Sequence, residues 1–230
     1  MKKNILLVGG SYGIGFEIAR QIMGEYNVFI ASRTKDGLEN LSVTHLVFDV
    51  TSDDISTLDL PEELHGFVFC PGSINLKPFK MLGEDAFRQD MEINFFGLVK
   101  TVKTIIPKMA EGSSMVFFST VAVGTGMPFH TSVSAAKGAI EGFARSLAAE
   151  YAPKIRVNTI APSLVDTPLA GRLLSNDRKK EMMSQRHPLK RVGTAKDIAN
   201  MASFLLRQEN SWVTGQVIGI DGGMSSLNIS

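Results

Sequence analysis

The run Val8-Gly9-Gly10-Ser11-Tyr12-Gly13-Ile14-Gly15 sets glycines at the point where a short apolar stretch ends and an amphipathic pattern begins. Glycines so placed form a cradle for a dinucleotide. Gly9 permits the tight turn, Gly13 lets the backbone approach a pyrophosphate, and Gly15 lets helix and strand pack closely, with the phosphates at the helix N-terminus. In NAD readers an acid about 20 positions further on accepts bonds from the ribose 2'-hydroxyl. Here that stretch is Ile30-Ala31-Ser32-Arg33-Thr34-Lys35, with no carboxylate at the strand end. The guanidinium fork of Arg33 and the hydroxyl of Ser32 suit a 2'-phosphate instead, so NADP(H) is the expected cofactor. Asp49, ending a third apolar run, reads either as a partner for an adenine amino group or as a turn carboxylate.

Other chemistry is thinly represented. His45, His65 and His187 have no metal-ligand spacing with carboxylates or thiols, and no metal is expected. Cys70, the only cysteine, lies in the apolar stretch Gly66 to Gly72 and reads as a small core or loop residue. A single thiol excludes an intramolecular disulfide and suits a reducing cytosol.

The elements that must hold the glycine loop are legible as alternation. Short apolar, β-rich runs occur at Ile5 to Val8, Asn27 to Ala31, His45 to Phe48, Gly66 to Cys70, Ser114 to Ser119, Arg156 to Ile160 and Gln216 to Ile220. Continuous rather than alternating hydrophobicity marks strands covered on both faces. Helical patterns separate them at Ile14 to Gly24, Glu84 to Glu111, Ser134 to Tyr151 and Ala195 to Arg207. The expected fold is α/β: a doubly wound seven-stranded parallel sheet of Rossmann type in three α/β/α layers, one domain over residues 1–230. Right-handed crossovers then bring every strand's C-terminal end to one edge, where ligands of open α/β sheets bind.

The segment Asp166 to Arg191 shows no strand pattern and reads as an excursion over that edge, a mobile lid or a solvated helix pair. Its apolar residues Leu164, Leu169, Leu173, Leu174, Met182 and Met183 suit either an acyl-bearing ligand or the cover of a core.

Charge is balanced, 24 Lys+Arg against 23 Asp+Glu, so no global field recruits nucleic acid or an anionic membrane. The N-terminal apolar run, Ile5 to Val8, is too short for a signal peptide, and no run approaches the roughly 18 residues of a membrane span. A cytoplasmic protein acting on a small molecule is expected.

Taken together, these motifs resemble the short-chain dehydrogenase/reductase family over essentially the whole chain. The glycine loop is similar to that family's TGxxxGxG, with Val8 in place of threonine. Phe69-Cys70-Pro71-Gly72 stands where an NNAG segment is usual, and Asn94 in Ile93-Asn94-Phe95-Phe96-Gly97 matches the helix asparagine of the proton-relay water. Pro162-Ser163 replaces a Pro-Gly pair, and Thr167 matches the hydroxyl that binds the nicotinamide carboxamide. The stretches Pro188 to Gly193 and Val213 to Gly223 look like the 3-oxoacyl-carrier-protein reductase branch. The resemblance implies a cofactor site of Gly9, Ser11, Tyr12, Gly13, Ile14, Gly15, Ser32, Arg33, Asp49, Val50, Cys70, Pro71, Gly72, Asn94, Lys137, Pro162, Ser163, Val165 and Thr167, with a substrate loop over about 163–192.

Catalysis in the family uses a serine, a tyrosine 13 residues later and a lysine four beyond that. Lys137 fixes the frame, and counting back gives Val133 and then Thr120. Threonine polarises a carbonyl as serine does, and Ser119 stands beside it. Valine has no proton to donate. The catalytic set implied is therefore Asn94, Thr120, Val133 and Lys137, with the acid missing. His130, three residues before Val133, is the nearby group whose type fits acid catalysis near neutrality, though a lone loop histidine is more often solvated or hydrogen-bonded to backbone. Met127, Pro128 and Phe129 read as pocket lining.

Three functions fit: an NADPH-dependent carbonyl reductase with an unconventional acid, a non-catalytic NADP-binding partner subunit, and a dehydratase or isomerase on the same pocket. The resemblance also implies a homotetramer or homodimer packed through the helices of Asn94 and Lys137. Phe95, Phe96, Ile140, Phe143 and Leu147 would then face outward, the alternative being that all five face the sheet.

Overall fold

A computed structural model describes residues 2–228. Strands β1 (Asn4–Val8), β2 (Asn27–Ser32), β3 (Thr44–Val47), β4 (Leu64–Phe69), β5 (Met109–Phe118), β6 (Ile155–Pro162) and a last long strand (Val217–Ile220) form one sheet. All its pairings are parallel, and the spatial order is β3-β2-β1-β4-β5-β6 followed by Val217–Ile220. Chain order reverses between β1 and β4, which creates the switch point where such sheets open a crevice.

Side-chain alternation along these strands fills two cores. Leu6, Val8, Phe67, Phe69 and Phe117 point to one face, packed with Leu98, Ile105, Ile140 and Leu147. Ile5, Leu7, Val68 and Val116 point to the other, with Ile18, Ile22, Ile198 and Leu205. The helices are α1 (Gly13–Ile22), α2 (Glu84–Met91), α3 (Gly97–Ile105), the short α4 (Ala122–Thr125), α5 (Thr131–Tyr151), α6 (Asp177–Gln185) and α7 (Ala195–Leu206). α3 and α5 cover the first face; α1 and α7 cover the second. The expected three layers and single domain match this arrangement in the described residues.

Four expectations need correction. The long helix read over Glu84 to Glu111 is interrupted by a π turn at Glu92–Phe96 and ends at Ile105, and Met109 onward is strand. Pro107 carries no N–H to continue the helix, and Met109 pairs with Leu64 of β4. The lysine helix begins at Thr131, which puts Val133 in its first turn. The excursion is pinned at its base by a two-residue ladder, β7 (Val165–Asp166) against β8 (Gly193–Thr194), too short to show as an apolar run. The last long strand is accordingly β9. Finally, Ile140 and Leu147 face the core rather than outward, Phe95 and Phe143 pack against it and edge to face against each other, and only Phe96 of the five is exposed. Counted at 3.6 residues per turn, Ile140 and Leu147 share the face that covers the sheet.

Candidate active site

The C-terminal ends of the strands frame one cleft of about 1710 Å³. At its centre the chain leaves β1 through Gly9 and enters α1 at Gly13, both in the left-handed region, with φ +74° and +62°. A Cβ on Gly15 would lie 2.2 Å from the Gly9 carbonyl oxygen, so only glycine allows this crossing of loop and helix. Tyr12 caps α1 without a side-chain bond, and no acid occupies the first turn. The free N–H groups and the positive end of the helix dipole are left for an anion.

From there the cleft runs two ways. On the β2 side it is lined by Ser32, Arg33, Asp49 and Val50. Arg33 is exposed, its charge helping to hold the Asp49 carboxyl below its ordinary range, though the larger cause is the Thr51 hydroxyl and then the Thr51 N–H. Those two bonds, at 2.7 and 2.9 Å on Asp49 Oδ1, make Asp49 a turn carboxylate that also borders the cleft. Ser32 is buried and its hydroxyl donates to the Thr34 carbonyl at 2.8 Å, with His45 Nε2 at 3.1 Å.

On the β4, β5 and β6 side the walls are Cys70, Pro71, Gly72, Thr120, Val133, Lys137, Pro162, Ser163, Val165 and Thr167. Every residue expected in the cofactor or catalytic set therefore borders one cavity, apart from Asn94. Asn94 lies just behind the wall in the π turn, fully buried. Its Nδ2 donates to Ser73 Oγ at 2.8 Å and to the Asp90 carbonyl at 2.7 Å, while its buried Oδ1 has no partner. A Cβ on Gly72 would sit 3.3 Å from that oxygen and 3.5 Å from Lys137 Nζ.

Lys137 is 8 % exposed, and its ammonium donates to the Phe118 carbonyl at 2.9 Å. Burial pulls its pKa down to about 8. Burial likewise pushes the neighbouring Cys70 thiol up to about 12, so it stays protonated and neutral. Val133 is 6 % exposed one helical turn before the lysine, a position from which it shares the lysine's face. Thr120 accepts a bond from the Ala122 N–H at 3.3 Å and keeps its own hydrogen for the cleft. Ser119, by contrast, is committed to Glu141 Oε1 at 2.6 Å and does not stand in for it.

His130 ends the loop before α5 and borders the cleft, with Nδ1 2.8 Å from the Pro128 carbonyl. A carbonyl only accepts, so that nitrogen carries the hydrogen. Met127, Pro128 and Phe129 do not line the cleft; Phe129 is exposed, with φ +71°. That backbone turn swings the loop away and corrects the lining expected there. Of the excursion's apolar residues, Leu164, Leu169 and Leu173 reach the cleft, whereas Leu174, Met182 and Met183 do not.

A buried polar network escaped the motif reading. Asp90, fully buried, accepts from Ser73 Oγ, Asn75 Nδ2 and Ser132 Oγ. It ties α2 to the loop after β4 and to the start of α5, and through Ser73 it fixes Asn94. The signal was present as spacing, because Asp90 precedes Asn94 by one helical turn. Ser163 Oγ likewise lies 2.9 Å from His187 Nε2, whose Nδ1 donates to the Met183 carbonyl, which ties the end of β6 to α6. Among the described residues no group of acidic, histidine or cysteine side chains could hold a metal.

A doubly wound sheet whose switch point carries a glycine cradle, a free helix N-terminus and a buried lysine defines a NAD(P)-dependent oxidoreductase. Comparison with known proteins gives its family. The family model described as enoyl-(acyl carrier protein) reductase matches residues 9–225, and the chain belongs to the classical short-chain dehydrogenase/reductases. It is 30 % identical over 246 residues to the 3-oxoacyl-acyl-carrier-protein reductase FabG of Chlamydia muridarum, covering 98 % of each chain. Human dehydrogenase/reductase SDR family member 4 is 29 % identical, covering 97 % of this chain and 88 % of the relative. The solved aldohexose dehydrogenase of Thermoplasma acidophilum superposes with a TM-score of 0.90 at 27 % identity, covering 100 % of this chain and 96 % of that one. ElxO with NADP bound superposes with 0.87 at 26 % identity, covering 99 % and 100 %.

Proposed function

We propose that the chain is an NADP(H)-dependent reductase of carbonyl compounds with an apolar flank. The observation that carries this reading is one continuous cleft wall joining the α1 N-terminus, Arg33, the free hydroxyl of Thr120 and the buried ammonium of Lys137. Bound at this cradle, the dihydronicotinamide supplies a hydride. The chain's own residues do the rest. The N–H groups at the start of α1 hold the pyrophosphate, and Arg33 pairs with the 2'-phosphate. Lys137 would hold the nicotinamide ribose and Thr167 its carboxamide, with the orphaned Oδ1 of Asn94 just behind Gly72. Thr120 donates to the carbonyl oxygen, while Leu164, Leu169 and Leu173 exclude water from the substrate's flank. The NADP-bound neighbour and the ketoacyl-reductase relative support this cofactor and substrate class.

One observation favours a second reading. Val133 removes the family's phenol from the wall, and a partner subunit that binds NADP(H) without turnover needs none. The two readings part in a single assay. Incubation with NADPH and a panel of ketones and β-ketoacyl thioesters is expected to yield alcohol in step with NADPH oxidation. Tight NADPH binding with no product from any of them supports the second reading.

The chain also carries the expectation of a homo-oligomer built on α3 and α5. Exposed Phe96 and the solvent-facing Ala135, Gly142 and Ser146 of α5 support it. A lone Cys70 fits a reducing, cytoplasmic location, and no described helix is long and apolar enough to cross a membrane.

A further inference from the structure

Resting on the reductase reading, we propose that Lys137 itself donates the proton to the substrate oxygen, across the place that Val133 leaves without a phenol. The geometry narrows the field of donors. Ser119 borders the cleft but its hydroxyl donates to Glu141, and that of Ser132 donates to Asp90, so neither proton is free for a substrate. Tyr151 lies 18 residues further along α5, about 27 Å away at 1.5 Å per residue. Tyr12 stands in the phosphate loop and Tyr26 beyond the far end of α1. Thr120 borders the cleft, but an aliphatic hydroxyl with no base beside it polarises the carbonyl without delivering a net proton.

Lys137 meets the requirements. Its Nζ is anchored to the Phe118 carbonyl, two residues before Thr120, and one of its three N–H bonds is spent there. The other two have no partner among the described residues, and Nζ lies 3.5 Å from where a Cβ on Gly72 would stand, in the wall that Val133 also lines. A valine there is apolar and shorter than a tyrosine, so no oxygen stands between the ammonium and the substrate.

The charges around Nζ come from each packed element. Cys70 at the end of β4 is neutral; Asp90 on α2 favours the charged form; Glu141, one turn further along α5, is bonded to Ser119; His130 lies at the start of α5. Burial outweighs Asp90 and leaves the ammonium with a pKa of about 8, charged at neutrality and ready to release a proton.

In the step, the carbonyl carbon takes the hydride pair from the dihydronicotinamide and the C=O π pair moves to oxygen. One Nζ–H bond breaks and its proton forms the new O–H. The products are an alcohol, the oxidised nicotinamide and a neutral amine, which regains a proton from water.

The test combines titration and turnover. In the chain without NADPH, the Lys137 side-chain resonances, assigned by comparison with Lys137→Arg, are expected to titrate with a midpoint of about 8. For ketone reduction, kcat is expected to be level at neutral pH and to fall tenfold per pH unit above about 8. Lys137→Arg keeps the charge but holds its proton; at saturating NADPH, with occupancy checked by fluorescence, it should lose about 10² or more in kcat. His130→Ala should keep both the rate and the alkaline limb. Reduction that survives in Lys137→Arg, or a limb that vanishes in His130→Ala, overturns the inference alone. So does a lysine midpoint at the ordinary 10.5. NADPH binding with no reduction at any pH overturns the proposed function as well.

Discussion

Val133 decides how this site works. Lys137 lies one helical turn beyond it and Thr120 lines the same cleft, so a phenol at 133 would meet an ammonium one turn away and a carbonyl held by Thr120. Val133→Tyr is expected to raise ketone turnover by about 10² or more, the low end for a positioned general acid. Val133→Phe, with the same ring and no hydroxyl, should give no gain; an equal gain in both would mean that the ring acts by packing alone. At the opposite end of the cleft, Arg33→Asp places a carboxylate where the 2'-phosphate would lie. Calorimetry is expected to show NADP(H) preferred by the native chain and NAD(H) by the variant, and equal native affinities for the two would contradict the role of Arg33. These residues were legible because glycine spacing and the position of a lysine are local signals. The network of Asp90 was not, beyond its one-turn spacing from Asn94, since its partners come from two separate stretches, Ser73 and Asn75 after β4 and Ser132 at the start of α5, that only the fold brings together.

Elements set the tolerances within which those side chains act. The contact between α1 and β1 leaves no room for a methyl group at Gly15, whose Cβ would also lie 2.9 Å from Gly10 Cα. Gly15→Ala is expected to cost about 1–3 kcal/mol through overpacking, a melting temperature lower by several degrees in a chain of this size. NADPH affinity should fall with it, because the N-terminus of α1 is displaced from the pyrophosphate. Unchanged melting and affinity would show that loop and helix adjust freely. The strands were readable because both faces are covered and their apolar runs are continuous. The break in the helix containing Asn94 was not. A π turn inserts one residue without changing the apolar pattern on either side, and it is this turn that sets Asn94 in the wall behind Gly72.

For the whole molecule, the seven parallel strands and the edge that carries the cleft followed from alternation, crossover handedness and the glycine loop, while the strand order came from the structure. The assembly is a different matter, because a single chain shows its surface and not what covers it. Phe96 is 44 % exposed and Trp212, just before β9, is 99 % exposed, and both are candidates for burial against another copy. Light scattering at micromolar concentration is expected to give a dimer or tetramer mass, with Phe96→Glu shifting the population to smaller species; a native monomer would remove the assembly from the account. The central claim, that this cleft reduces carbonyls with NADPH despite the valine, rests on chemistry and is tested most directly by product. Native chain, NADPH and a panel of ketones and β-ketoacyl thioesters are incubated together, and alcohol is quantified against NADPH consumed. The account predicts one alcohol formed per NADPH oxidised for at least one substrate, and full NADPH occupancy with no alcohol from any of them would contradict it.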